Sequence, residues 1–175
     1  YRHVKGSYQM RRYTTNKLSE SVKMSLERDY LKEVMHRVAK GSLEDRFYGP
    51  AANRLEKELK AVSVYSFSEL GDFITKHADL YVRFIAFEWG YCALRKGEEY
   101  KAQCVESSTG LPKVDVNSCP ELCCGCVHNM NNELQCKSLE RIAIAHQNIV
   151  DTHPLDTIKK MSAAVVKIIR RRLTK

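Results

Sequence analysis

The chain has 175 residues, 43% of them hydrophobic, with seven cysteines and a formal net charge of +8. That is apolar material for one domain of ordinary size, or one domain with a small appendage, and no apolar run approaches the ~18 residues that a spanning helix needs. No apolar stretch follows the first basic residues, so no secretory signal is expected; the sequence opens without Met and reads as a fragment of a longer chain, with the cytosol as its expected compartment. Cysteines there stay mostly reduced, and an odd number of them argues against a closed disulfide framework.

Charge is unevenly spread. Residues 1–17 carry Arg2, Lys5, Arg11, Arg12 and Lys17 without an acid, and residues 154–175 carry seven basic residues against Asp156 alone. Between them, residues 61–153 hold twelve acids against eight bases. Basic ends around an acidic middle point to a polyanion touched by particular elements. For Arg170, Arg171 and Arg172 taken alone, a solvated helix face is an equal reading.

The first element is an amphipathic helix over 18–40, with Val22, Leu26, Leu31, Val34, Met35 and Val38 recurring at short steps, Ser19 or Ser21 as cap and Gly41 as stop. Pro50 then opens a helix through Lys60, after a turn containing Gly49. A shorter helix starts near Ser68 and runs to His77. Residues 81–89, β-branched and aromatic with partial alternation, read as a strand or a short helix. Residues 90–132 show little periodicity, and a loop of that length inside a compact domain needs something other than an apolar core to order it. Two helices follow, over 133–150 and from Pro154 at its first position, joined by a link short enough for an antiparallel hairpin. The expected fold is therefore mainly α: a helical fragment with one short strand, an irregular cysteine-rich segment and a closing helical hairpin. Its expected divisions are 1–17, 18–89, 90–132 and 133–175.

The cysteine segment carries the clearest chemical signal. Cys123 and Cys126 have the C-x-x-C spacing that lets two thiolates reach one tetrahedral metal, with Gly125 easing the turn. Cys92 and Cys104 supply a second pair, so that one structural zinc would staple both ends of the irregular stretch and lend its binding energy to folding. Cys119 in place of Cys104, or His128 as fourth ligand, are the alternatives. With four protein ligands no open position remains for catalysis. Cys124 and Cys136 are then spare, and a thioredoxin-type redox site is disfavoured because no βαβ pattern surrounds the C-x-x-C.

The N-terminal phrase H3-V-K-G-S-Y-Q-M-R-R-Y13 resembles the last motif of the tyrosine recombinases, the phage-type integrase family, and the resemblance continues in order. The helix from Leu18, G49-P-A-A-N-R-L55, W89-G-Y-C92, Cys104, C123-C-G-C126 and a terminal helical hairpin are similar to the cysteine-rich extension of bacterial genomic-island integrases. The resemblance implies a DNA integrase of the bacterial cytoplasm. In it Tyr13 would be the nucleophile that forms a 3′-phosphotyrosyl link, and His3 the late His/Trp position. Tyr8, and more remotely Tyr1, are rivals to Tyr13. A phenol with a pKa near ten needs positioning and cationic donors to attack a phosphodiester. Lys5, Arg11, Arg12 and Lys17 flank it as candidate backbone contacts. No cofactor is implied for the chemistry, no membrane and no small-molecule substrate; copies would assemble on DNA. The family's early Arg, its Lys and its His-x-x-Arg would lie upstream of residue 1, so the fragment alone would not recombine DNA. A zinc-stabilised, non-enzymatic DNA-binding or protein-interaction module is the rival reading.

Overall fold

The computed structural model describes residues 19–40, 46–61, 67–114 and 119–174. Helix α1 (Glu20–Lys40) buries Leu31, Val34 and Met35, the i, i+3, i+4 stripe of a helix with one face on a core. Val22 and Leu26, expected in the same stripe, are exposed. That turn presents Glu27 instead. Its carboxylate takes two hydrogen bonds from Arg83, at 3.0 and 3.1 Å, and one from the Phe84 N–H at 3.2 Å. A buried carboxylate is tolerable only when paired and hydrogen-bonded in this way.

Helices α2 (Pro50–Ala61) and α3 (Phe67–Ala78) follow, with Pro50 at a position where its missing N–H costs nothing. Strand β1 (Tyr81–Phe87) pairs antiparallel with β2 (Gly90–Arg95), and β2 with the two-residue β3 (Asn129–Met130), in the order β1-β2-β3. The mainly helical class stands, but the sheet holds two strands beyond the one expected at 81–89. Strand β2 is buried along nearly its whole length. A strand covered on both faces loses the polar–apolar alternation by which a half-exposed strand is read.

Both faces of the sheet are used. Phe84, Tyr91 and Ala93 join α1, α2, α3 and Met130 in one apolar cluster. Ile85, Phe87, Cys92 and Leu94 face the other way, with Ala102, Cys104 and Val114. Alternation along β1 and β2 thus divides an aliphatic core from the cysteine side. Phe84 and Tyr91 stack at 5.5 Å on the first side, and each buried side chain of this size contributes about 1.5–3 kcal/mol.

Short helix α4 (Pro120–Gly125) precedes β3, and the hairpin α5 (Glu133–Thr152) and α6 (Asp156–Leu173) closes the chain. Asn132 caps α5 in a reciprocal box with Gln135, at 3.1 and 3.0 Å, which satisfies two amides left open at the helix start. Helix α6 begins after Leu155, which is extended, so Pro154 lies one residue before the cap rather than inside the helix.

Arg172 fastens the hairpin to the rest. Its guanidinium donates to Asn131 Oδ1 at 2.7 and 3.0 Å, to Asn129 Oδ1 at 3.0 Å and to the Tyr48 carbonyl at 3.2 Å. Gly49 (φ +110°) lies so close that an added Cβ would occupy the guanidinium's place, and the same φ disfavours any side chain. Asn129 and Asn131 are 4% and 1% exposed, so water cannot replace the donor. Arg172→Met is expected to destabilise the fold by about 2–3 kcal/mol in urea denaturation, the cost of orphaning buried acceptors of a charged donor. Arg171→Met, one residue away and exposed, should shift stability by no more than about 0.5 kcal/mol.

Candidate metal centre

Three separate elements deliver the cysteines. Cys92 lies mid-strand in β2, opposite Asn129 of β3 and Ile85 of β1, and its position in the alternation points it away from the aliphatic core. Cys104 follows a single 3-10 turn, Glu99–Lys101. Its carbonyl accepts the Lys113 N–H at 3.1 Å, and Val105 bridges Pro112, closing a small antiparallel loop. Cys123 lies near the end of α4 and Cys126 is its C-cap, with the Cys126 N–H donating to the Cys123 carbonyl at 3.0 Å.

These four side chains line one cavity, together with Ala102, Gln103, Leu122 and Asn129. Its volume is about 20 Å³, room for one occupant the size of a water. The His128 N–H donates to Cys126 Sγ at 3.5 Å. Cys119 caps α4 and does not line the cavity. His128 is fully buried, but its Nε2 is taken by the Glu98 carbonyl at 3.0 Å, and burial lowers its pKa from the usual value. Neither Cys119 nor His128 lines the cavity, and His128 Nδ1 is buried without a hydrogen-bond partner among the described residues.

No disulfide joins any of the seven cysteines. Burial, and then the neighbouring Cys126, Cys123 and Cys104, hold the Cys92 thiol well above the usual thiol range. Thiolates crowded at such a place repel one another, and only a cation between them reverses that. Four thiols with no open position are the donor set of a closed tetrahedral site. In number and chemistry the residues fit a zinc-type ion. In arrangement they share the cavity without being drawn in, since among the described residues no group of three or more His, Cys, Asp or Glu is placed to hold an ion.

The remaining cysteines look elsewhere. Cys124 packs against the hairpin core of Leu139, Ala143 and Ile169, and burial pushes its thiol up to about 12, with the Arg172 guanidinium opposing the rise. Cys136 is half-buried on α5, and burial raises its pKa too. Tyr13, His3, Lys5, Arg11, Arg12 and Lys17 lie outside the described residues. The asparagines at 129, 131 and 132 are the structural residues that sequence reasoning passed over. Of these only Asn132 carried a readable signal, a capping residue three positions before Gln135. Among the described residues no helix is long and apolar enough to cross a membrane. Comparison with protein-family models, curated proteins and solved structures returns no match.

The Cys124 thiol makes stability depend on alkaline pH. An unfolded thiol ionises near about 8.5, whereas the folded one holds its proton to about 12. The contribution is complete below the unfolded value and is lost as pH climbs between the two. In metal-free protein the urea midpoint should fall above about pH 8.5, and Cys124→Ala should make that fall shallower. Parallel slopes for the two proteins would contradict the assignment.

Proposed function

We propose that this chain is the C-terminal part of a site-specific tyrosine recombinase, and that a structural zinc ion held by Cys92, Cys104, Cys123 and Cys126 orders its cysteine-rich segment. The observation that carries the reading is the shared cavity: thiols up to 34 positions apart in the sequence line one small space. The order of phrases that suggested the integrase extension is the order in which those thiols arrive. The zinc would supply no chemistry of the reaction; it would replace core between β2, the Cys104 loop and α4.

In this reading the reaction belongs to the N-terminal phrase. Tyr13 attacks a DNA phosphodiester and keeps the bond energy as a 3′-phosphotyrosine, so that rejoining needs no cofactor. His3 stands near the reacting phosphate, and Lys5, Arg11, Arg12 and Lys17 hold the backbone without reading sequence. The partner is DNA, with copies of the protein assembling on it. The reaction would also need the family's two arginines, its lysine and a further histidine around the phosphate.

Two measurements test the two halves independently. Elemental analysis of the purified chain should give about one zinc per molecule. Cys92→Ser with Cys126→Ser should lose it, whereas Cys119→Ser should keep it. A folded, fully reduced sample without metal would end the zinc reading. For the nucleophile, the full-length protein incubated with a nicked suicide duplex should form a covalent adduct that Tyr13→Phe abolishes and Tyr8→Phe preserves. Zinc retained with no adduct from any tyrosine would leave a zinc-stabilised binding module as the function.

A further inference from the structure

The last helix sorts its basic residues by direction. At about 100° per residue, Lys160, Lys167 and Arg171 fall within about 40° of arc on α6, opposite the face that carries Ser162, Val166 and Ile169 into the hairpin. All three are exposed, and so are Ala163 and Ala164 between them. None takes part in the ion pairs found among the described residues, although the chain pairs carboxylates with bases freely elsewhere. The helix's one acid, Asp156, lies one turn before Lys160 on the same side of the helix, without an ion pair to it among the described residues. Along the axis the three cations are spaced by ~10 Å and ~6 Å. The alanines leave the helix surface low, so that a charged backbone can approach.

We propose that this face of α6 is a docking surface for the phosphate backbone of duplex DNA, engaged through Lys160, Lys167 and Arg171. Charge complementarity selects the occupant: an unneutralised row of cations on a rigid helix, with small residues between, matches a regular line of phosphates. A lipid surface fits less well, because the helix's larger apolar face is already spent on α5 and only Met161 and Ile168 flank the row outside. The choice of duplex over other polyanions rests on the recombinase reading; the cation row itself does not. Arg172 is excluded from the surface by its bonds to Asn129 and Asn131.

The test is fluorescence anisotropy of the full chain on a random-sequence duplex across a salt series. Three lost phosphate contacts should flatten the slope of log K against log salt by about 2.7 and weaken binding by about tenfold to a hundredfold near physiological salt. The variant for this is K160A/K167A/R171A, whose melting temperature should be unchanged. A control of equal charge loss on other elements, K57A/K76A/K96A, should leave the slope nearly unaltered. Equal losses in the two triples, no duplex binding by the parent chain, or a triple that loses binding only to anionic phosphatidylserine vesicles or to single-stranded RNA would each overturn the proposal. Covalent trapping is scored separately with Tyr13→Phe. A flattened slope without any adduct therefore sinks the recombinase reading and keeps the surface, and an adduct with an unchanged slope does the reverse.

Discussion

The Arg172 guanidinium is the densest polar contact between the C-terminal hairpin and the sheet, beside the bond from Gln135 Nε2 to the Phe87 carbonyl at 3.3 Å and the packing of Trp89 on the hairpin core. Arg172 reaches back from the end of α6 to Asn129, Asn131 and the Tyr48 carbonyl, and so joins the last helix to β3 and to the turn before α2. Tyr48 and Asn131 exchange backbone hydrogen bonds at 2.8 and 2.9 Å beside it. Gly49 and Gly90 have no side chain because this contact leaves no room for one: a Cβ on Gly90 would lie 2.5 Å from Asn129 and 2.7 Å from Asn131. Burial acts against the charge of Arg172 and lowers its pKa, so the arrangement is tolerable only while every acceptor stays in place. The hairpin's own apolar core has three buried residues, and Trp89 beside the sheet and Cys124 of α4 pack against it, so this polar joint and that packing together orient the hairpin.

The sheet turns that joint into a site. Because β2 presents Tyr91 and Ala93 to one side and Cys92 and Leu94 to the other, the same strand that completes the aliphatic core also starts the thiol cavity. Asn129 has a similar double role: its backbone pairs with Cys92, and its side chain both receives Arg172 and lines the cavity. Displacing Arg172 would therefore be felt at the thiols through one residue. The second cluster contains few large side chains and two cysteines, too little apolar mass to hold the Cys104 loop by burial alone. In the zinc reading, ligation would supply the cross-link that holds this region.

How much of this the sequence disclosed follows from the kind of signal involved. The helices were legible because their periods and their Pro and Gly punctuation are local, and α1, α2, α3 and α5 begin within about two residues of where patterning put them. Spacing grouped Cys92, Cys104, Cys123 and Cys126, and all four line one cavity, although among the described residues no three of them are placed to hold an ion. Strand β2 was not legible, since burial on both faces erases alternation, and β3 at two residues is too short to carry a pattern. Glu27 was hidden for a different reason. A carboxylate inside an apolar stripe reads as a flaw until the partner strand brings Arg83 to it.

The three consecutive arginines show where composition stops being informative. As a count, Arg170, Arg171 and Arg172 are one basic cluster, equally suited to a polyanion or to solvent. A helix rotates each by about 100° from the last, so they cannot share a task. Arg172 falls toward β3, where its bonds to Asn129 and Asn131 make it structural; Arg171, about 100° round the helix, falls on a solvated side in line with Lys167 and Lys160. The same net charge is thus divided between holding the hairpin and facing outward. A charge change at 172 removes a buried contact of the hairpin, while one at 171 changes only the outward row. The direction of the cation row follows from the inward face of Ser162, Val166 and Ile169, with Arg172 bound to two buried asparagines beside it.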